Sequence, residues 1–483
     1  MFGSINSEMI LAILPEIALL VLIAIVFVAD LLLPPKRDGR LAYITVAGLA
    51  LTLALTVIFG RPGAEGELLW GGMLRHDWLA FIFKVIFLAG ALLATVFSIG
   101  WEPVWRKGEY YVLLLTSTMG MTLVGASADL IMLFLAIETT SIPLYIMAGF
   151  MTRDDKSTEA GVKYLLFGAM TTAVMLYGFS LLYGFSGTTS LYEIAAAAAA
   201  GAVPVPVLLG TALLILVGFG FKVAMAPLHF WAPDVYEGAP TPVTAFLSTA
   251  SKAAGFAALV RVMPVVFPAI TLDWVSWVAV AAAVTMTIGN LVALSQKNIK
   301  RLLAYSSIAH AGYALLGVAA ASQLGAASVM YYFLVYLVTN MAAFGVVIVV
   351  YKAVGSDEIA DYAGLSRRSP ALALVMLVAF LSLAGVPPMG GFIAKVLVFA
   401  AAVESGLVWL AVVGVLNAIV GLYYYLIVLK VVYLYPSAKG EQPVPVLGPH
   451  MAALVACVVA ILVLGTVLAP WYDWVLSGAV ALF

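Results

Sequence analysis

The chain has 483 residues, 64% of them hydrophobic and only 10% charged, with a formal net charge of −1. Its mean hydropathy of +1.13 is far from that of soluble globular domains and excludes that class. One cysteine, Cys457, excludes an intrachain disulfide and an iron–sulfur cluster held by this chain alone.

Apolar runs of about 20 residues or more recur, each long enough to cross a hydrocarbon core about 30 Å thick. They fall at 10–32, 41–60, 78–99, 109–127, 129–150, 160–184, 205–229, 241–263, 273–295, 301–320, 328–351, 371–401, 407–434 and 446–468. The expected fold is an all-α polytopic membrane protein of about fourteen transmembrane helices, with no loop large enough to form a separate domain. The first run is too long for a signal-peptide core, and neither a basic leader nor a small-residue cleavage site accompanies it, so it reads as a retained helix.

Charge sets the expected orientation. Loops after odd-numbered spans hold Lys36, Arg37, Arg40, Arg106, Lys107, Arg153, Lys156, Lys297, Lys300, Arg301, Lys352, Arg367, Arg368 and Lys439, against Arg61 and Arg75 on the other side. This positive-inside bias places both termini outside the cytoplasm.

Seven basic residues remain. Lys84, Lys163, Arg261 and Lys430 lie near span ends, where long side chains can snorkel to the interface. Lys222, Lys252 and Lys395 lie well inside the seventh, eighth and twelfth spans, where a charge costs roughly 2.5–3.5 kcal/mol on insertion scales. Glu138 in LFLAIETTSIPLY and His310 in AYSSIAHAGY are each nine residues into the fifth and tenth spans. Any one of these could be a satisfied packing residue; five in one bundle point to function. His229, beside Trp231 at a span end, fits an interface anchor or a proton access point equally. His76, His229, His310 and His450 lack metal-motif spacing. Gly218-Phe219-Gly220 follows no strand and reads as close helix packing. Asn340 and Asn417 read as helix–helix hydrogen bonders.

Spacing suggests an internal repeat. Glu138 precedes Lys222 by 84 residues, and His310 precedes Lys395 by 85. The seventh and twelfth spans are the ones interrupted by proline, at Pro227 and at Pro387-Pro388. Interrupted segments at corresponding positions mark an internal repeat with a midplane ion site. An offset of five spans makes the two halves inverted. The expected organisation is a three-helix segment at 1–108, five-helix repeats at 109–263 and 273–435, and a C-terminal helix at 446–483. Glu138 should overlay His310, and Lys222 should overlay Lys395. The step from Lys222 to Lys252, added to Lys395, lands on Tyr425, so the symmetry is incomplete. The broken spans should leave carbonyls facing local water.

Long motifs now carry a resemblance over essentially the whole chain: LPEIALL, GEYYVLLLTSTMGMTLVGASADLIMLFLAIETTSIPLYIMAGF, STEAGVKYLLFGA, GFGFKVAMAPLHFWAPDVYEGAPTPVTAFLSTASKAAGF and AGVPPMGGFIAK. The chain resembles the antiporter-like membrane subunits of proton-translocating NADH-quinone oxidoreductase, respiratory complex I. Lysine at 395 and the short C-terminus favour the subunit N branch over subunit M, with glutamate there, and over the longer subunit L. The resemblance implies a proton channel in the bacterial plasma (inner) membrane. Its family residues fall on Glu138 and Lys222 as an ion pair, Lys252 at the centre and Lys395 at the end. Burial opposes a lysine's charge and a nearby carboxylate restores it, so Lys222 beside Glu138 can hold or release a proton. His310 is the expected relay, because imidazole titrates near neutral pH. All five should form one hydrated chain along the membrane plane. The resemblance also implies no cofactor in this chain, with flavin, iron–sulfur clusters and quinone in partner subunits. Those partners would include the homologous subunit M and small membrane subunits. Two alternatives stay open: a subunit of a multi-subunit cation/proton antiporter or membrane-bound hydrogenase, and a non-transporting scaffold.

Overall fold

The computed structural model describes residues 7–32, 39–102, 104–437, 442–480 and 482. Lys36, Arg37 and Lys439 of the charge count lie outside them. Sixteen of its helices matter here. They are α1 (Leu14–Leu32), α2 (Arg40–Phe59), α3 (Trp78–Ser98), α4 (Gly108–Ala126), α5 (Leu130–Ala148), α6 (Asp155–Ser186), α7 (Val205–Val223) and α8 (Trp231–Gly238). They continue as α9 (Thr241–Val266), α10 (Thr271–Ala293), α11 (Ile299–Ala319), α12 (Gln323–Val354), α13 (Pro370–Ala384), α14 (Gly390–Glu404), α15 (Val408–Leu434) and α16 (Gly448–Thr466). Helices satisfy every backbone group within one segment, which hydrocarbon demands.

Twelve helical segments among the described residues are long and apolar enough to cross a membrane. Helix α4 and the pair α13–α14 occupy the positions of the fourth and twelfth expected spans. The core lies along α9, α11 and α12, whose apolar windows are 100%, 94% and 89% buried, against 28% for α1 and 39% for α15. Lys252 and His310 belong to this core. Two features were not read from the sequence. A two-stranded hairpin pairs Glu67–Leu69 with Leu74–His76. A π-helical turn, Leu247–Ser251, interrupts α9 directly before Lys252, a distortion that often marks functional positions in helices.

The same local devices recur in the same order. Asp129 and Asn298 cap α5 and α11, each accepting two backbone N–H groups. Beside each cap, a short bridge joins the helix start to a distant loop, through Leu130 N to Thr189 O and Ile299 N to Asp357 O. Helices α6 and α12 both run 32 residues and end on a left-handed glycine, Gly187 and Gly355. At the breaks, α7 ends on Ala224 and α13 on Gly385, both with positive φ, and a proline follows three residues later.

These local devices are spaced differently from the expected equivalences. Counted from the caps, Glu138 coincides with Ser307, and His310 with Ser141. Counted from the breaks, Lys222 coincides with Leu383, and Lys395 with Asp234. The near-equal spacings of 84 and 85 residues are thus not matched by the spacing of these caps and breaks. Lys222 precedes its break and Lys395 follows its own.

Several carbonyls freed at the breaks are held by protein groups. The Ala224 and Met225 amides and the Trp231 indole donate to the end of α7. Lys395 and the Gly385 and Val386 amides donate to the end of α13. Pro227, Pro387 and Pro388 themselves lie exposed on the chain's surface.

Candidate functional site

Lys222 lies in the last turn of α7. Its Nζ donates to the Ser141 hydroxyl at 2.5 Å and the Tyr145 hydroxyl at 3.1 Å, both on α5. Gly255 lets α9 pack closely against this turn of α7: a Cβ there would come within 2.8 Å of Val223 and 3.2 Å of Lys222. Glu138 is one helical turn before Ser141, half-buried, and makes no ion pair among the described residues; its Oε1 is buried without a hydrogen-bond partner. The expected contact between Glu138 and Lys222 is thus replaced by hydroxyl contacts. Serine and tyrosine reach the ammonium from the same face of α5, one and two turns closer to its level.

Lys252 emerges from the π-turn of α9, 1% exposed. It donates to the Ser307 carbonyl at 2.8 Å and the Ser307 hydroxyl at 2.6 Å on α11. The Tyr236 hydroxyl on α8 joins the same serine at 3.3 Å. One turn along α11, His310 Nδ1 pairs with the Tyr332 hydroxyl at 2.6 Å, and Nε2 with the Tyr425 hydroxyl at 3.3 Å. Tyr425 also bonds the Ser306 hydroxyl. Another turn on, the Tyr313 ring lies 4.7 Å from Lys395 Nζ. Lys395 donates to the carbonyls of Leu383 and Ala384, each at 2.9 Å. A lysine at a helix C-terminus both satisfies orphan carbonyls and complements the negative end of the helix dipole.

Helix α11 is therefore the spine that brings Lys252, His310 and Lys395 together. Lys222 joins from α7 through the close α7–α9 packing at Gly255. Each of the three lysines donates two hydrogen bonds to neutral acceptors. That suits an amine as well as an ammonium, since the amine has two donors and a lone pair for a third proton. His229 sits in the break before α8, half-buried, with Nδ1 lacking a hydrogen-bond partner, and no hydrogen bond among the described residues joins it to any of the five. Asn340 bonds Ser248, and Asn417 bonds Asn290 and Thr287, between helices.

Two basic residues, Arg261 and Lys84, depart from the snorkelling expectation. Arg261 is buried and grips Asp77 through two bonds of 2.8 Å while donating to the Gly125 carbonyl. Lys84 is buried and paired with Glu16 at 2.9 Å. Lys163 pairs with Asp234 and Glu159. Its side chain stays 35% exposed, and Lys430 is exposed against Tyr435. Sequence reasoning missed Ser141, Tyr145, Ser306, Ser307 and Tyr332, because lone hydroxyls in apolar helices usually bond their own backbone. It also missed a polar cavity of about 320 Å³ at the end of α8, lined by Asp154, Lys156, Glu237, Lys300 and Asp357. There Lys300 caps α8 through the Glu237 and Ala239 carbonyls. Arg301 joins Asp234 and Glu237.

A helical membrane bundle with charged side chains aligned through broken and distorted helices defines an antiporter-like membrane subunit. The family model for the transmembrane part of NADH:quinone oxidoreductase and Mrp antiporters matches residues 127–421. The NADH-quinone oxidoreductase subunit N of Moorella thermoacetica is 46% identical, with 94% of each chain covered. A chain of respiratory complex I from Thermus thermophilus is 35% identical, covering 96% of this chain and 100% of that one, with a TM-score of 0.82. A chain of an archaeal membrane-bound sulfane sulfur reductase shares the fold at 23% identity, with coverage of 98% and 97% and a TM-score of 0.87. The chain belongs to the NADH-quinone oxidoreductase subunit N family.

Proposed function

We propose that this chain is a proton-translocating subunit of the complex I membrane arm in the bacterial inner membrane, with both termini on the non-cytoplasmic side. Protons move through Glu138, Lys222, Lys252, His310 and Lys395, driven by electron transfer from NADH to quinone in partner subunits. The observation that carries this reading is the set of three interior lysines bonded to hydroxyls and carbonyls rather than to fixed anions. A buried cation neutralised by a carboxylate is locked; one solvated by neutral dipoles can lose its proton.

The recurring caps, 32-residue helices and left-handed breaks support two inverted five-helix units at 109–263 and 273–435. The polar cavity at the end of α8 supports proton uptake there, towards Lys252, more than at His229. Flavin, iron–sulfur clusters and quinone belong to partner subunits; the lone Cys457 is buried in α16.

Partner contact is expected on the α5–α6 face. Ile131, Leu135, Ile142 and Ile146 form an exposed stripe beside half-buried Glu138. An apolar groove lined by Phe134, Leu176 and Phe179 adjoins them. A carboxylate at that depth does not face hydrocarbon alone, so a neighbouring membrane subunit, such as a homologous subunit M or a small membrane subunit, covers it. The antiporter and hydrogenase readings share the fold, but the 46% and 35% identities lie with complex I proteins.

The test is Lys252→Ala in the fully assembled complex, reconstituted into proteoliposomes. Coupled proton transfer is expected to be lost while assembly persists. A wild-type proton-to-electron ratio in that variant overturns the reading.

A further inference from the structure

Lys252 on α9 meets α11 at Ser307, one turn before His310, yet no hydrogen bond joins the two networks among the described residues. Tyr336 lies between them. It is 3% exposed, and its buried hydroxyl lies close enough to Ser307 to interact with it but makes no well-aligned hydrogen bond among the described residues. Its ring lies on the His310 imidazole, with centroids 5.1 Å apart and planes inclined by 33°. The Tyr236 and Ser307 hydroxyls flank it on the Lys252 side. On the other side is a void of about 10 Å³, bordered by His310, Tyr332, Thr339, Ser382 and Leu383. That is about one water probe, and Leu383 is the residue whose carbonyl holds Lys395. Orphaned buried hydroxyls are rare in native folds and mark an ordered water or a function.

We propose that the Tyr336 hydroxyl, with one water in this void, is the proton relay between Lys252 and the His310–Lys395 side. The proposal rests on the proton-translocation reading above. The proton leaves Lys252 Nζ as an ammonium N–H and passes through the Ser307 hydroxyl to the Tyr336 oxygen. Tyr336 releases its own O–H proton to the water, which passes one to the Tyr332 hydroxyl on the same void, and Tyr332 hands its own proton to His310 Nδ1. No net charge stays on the phenol, and rotation of the hydroxyls resets the chain. Tyr332 differs, because its hydroxyl already pairs with His310 Nδ1.

The experiment compares Tyr336→Phe, Lys252→Ala and 3-fluorotyrosine at position 336 in the assembled complex in proteoliposomes. Tyr336→Phe keeps the ring on His310 and removes only the oxygen, so coupled pumping is expected to fall at least roughly tenfold. The fluorinated phenol keeps ring and hydroxyl but is more acidic. It is expected to restore pumping and to move the pH profile to lower pH. Wild-type pumping by Tyr336→Phe beside an inactive Lys252→Ala overturns the relay alone. Wild-type pumping by both overturns the translocation reading. An inactive Tyr336→Phe with an unmoved pH profile in the fluorinated protein assigns Tyr336 a packing role and also overturns the relay.

Discussion

Lys252 and Ser307 meet from opposite halves of the chain: one ammonium donates to both the hydroxyl and the carbonyl of a single serine, at 2.6 and 2.8 Å. The π-turn before Lys252 aims the side chain at α11, and the tenth span supplies the acceptor. A hydrogen bond to a charged group contributes about 1.5–3 kcal/mol. Ser307→Ala removes one of two acceptors and should slow coupled proton transfer by roughly tenfold or more, whereas Ser307→Thr should keep most of it. Equal pumping by Ser307→Ala and wild type would show that the hydroxyl is dispensable.

A second expectation concerns Glu138. Residues in contact couple by about 0.5–3 kcal/mol in double-mutant cycles. Lys222 touches Ser141 and not Glu138, so the Ser141/Lys222 cycle on pumping rate should show the larger coupling. The reverse order would mean that an ion pair forms during turnover and that the resting geometry understates it.

Asp77 and Arg261 predict a pH dependence of stability. Burial pushes the Asp77 carboxyl up, but the Arg261 guanidinium, the Ala80 amide and Arg75 outweigh it and hold it below the usual carboxylate range. A depressed folded-state value adds stability above about pH 4, and that stability is lost as pH falls through the folded value. The thermal midpoint of the solubilised wild type should fall on acidification from about pH 5 to 3, with Asp77→Asn starting lower and changing less. Arg261→Met should cost about 3 kcal/mol, because buried Asp77 loses its bidentate partner and keeps only Arg75 at 3.2 Å. Parallel acid profiles for wild type and Asp77→Asn would contradict this.

Lys84 offers a sharper contrast with its reading as an interface residue. With Glu16 at 2.9 Å and the Ala12 carbonyl at 2.8 Å, Lys84→Ala should destabilise by about 3–5 kcal/mol. Lys84→Met combined with Glu16→Gln should recover much of that loss, because no lone charge remains. Thermal unfolding of the two variants settles it; a near-neutral Lys84→Ala would return the residue to the membrane surface.

Much of this was legible in the chain itself. Hydropathy located the spans, and the interior positions of Lys222, Lys252, Lys395, Glu138 and His310 singled them out, because a charge in an apolar run is conspicuous one residue at a time. Pro227 and Pro387-Pro388 marked the breaks for the same local reason. The positions of the caps and breaks were not legible from the spacing of Glu138, Lys222, His310 and Lys395. Residue counts between charged positions add loop lengths to helix lengths, and only the caps at Asp129 and Asn298 separate them.

By itself, then, the sequence determined a helical membrane bundle with charges in its interior, since hydrophobicity and charge are summed over single segments. Tertiary structure decided what each charge meets. Lys222 found Ser141 instead of Glu138, Lys395 found the end of α13, and Arg261 found Asp77, 184 residues away. Hydrogen bonds are short and directional, so the partner is whichever polar atom helix packing brings within about 3 Å. No pattern along one strand of sequence encodes that distance.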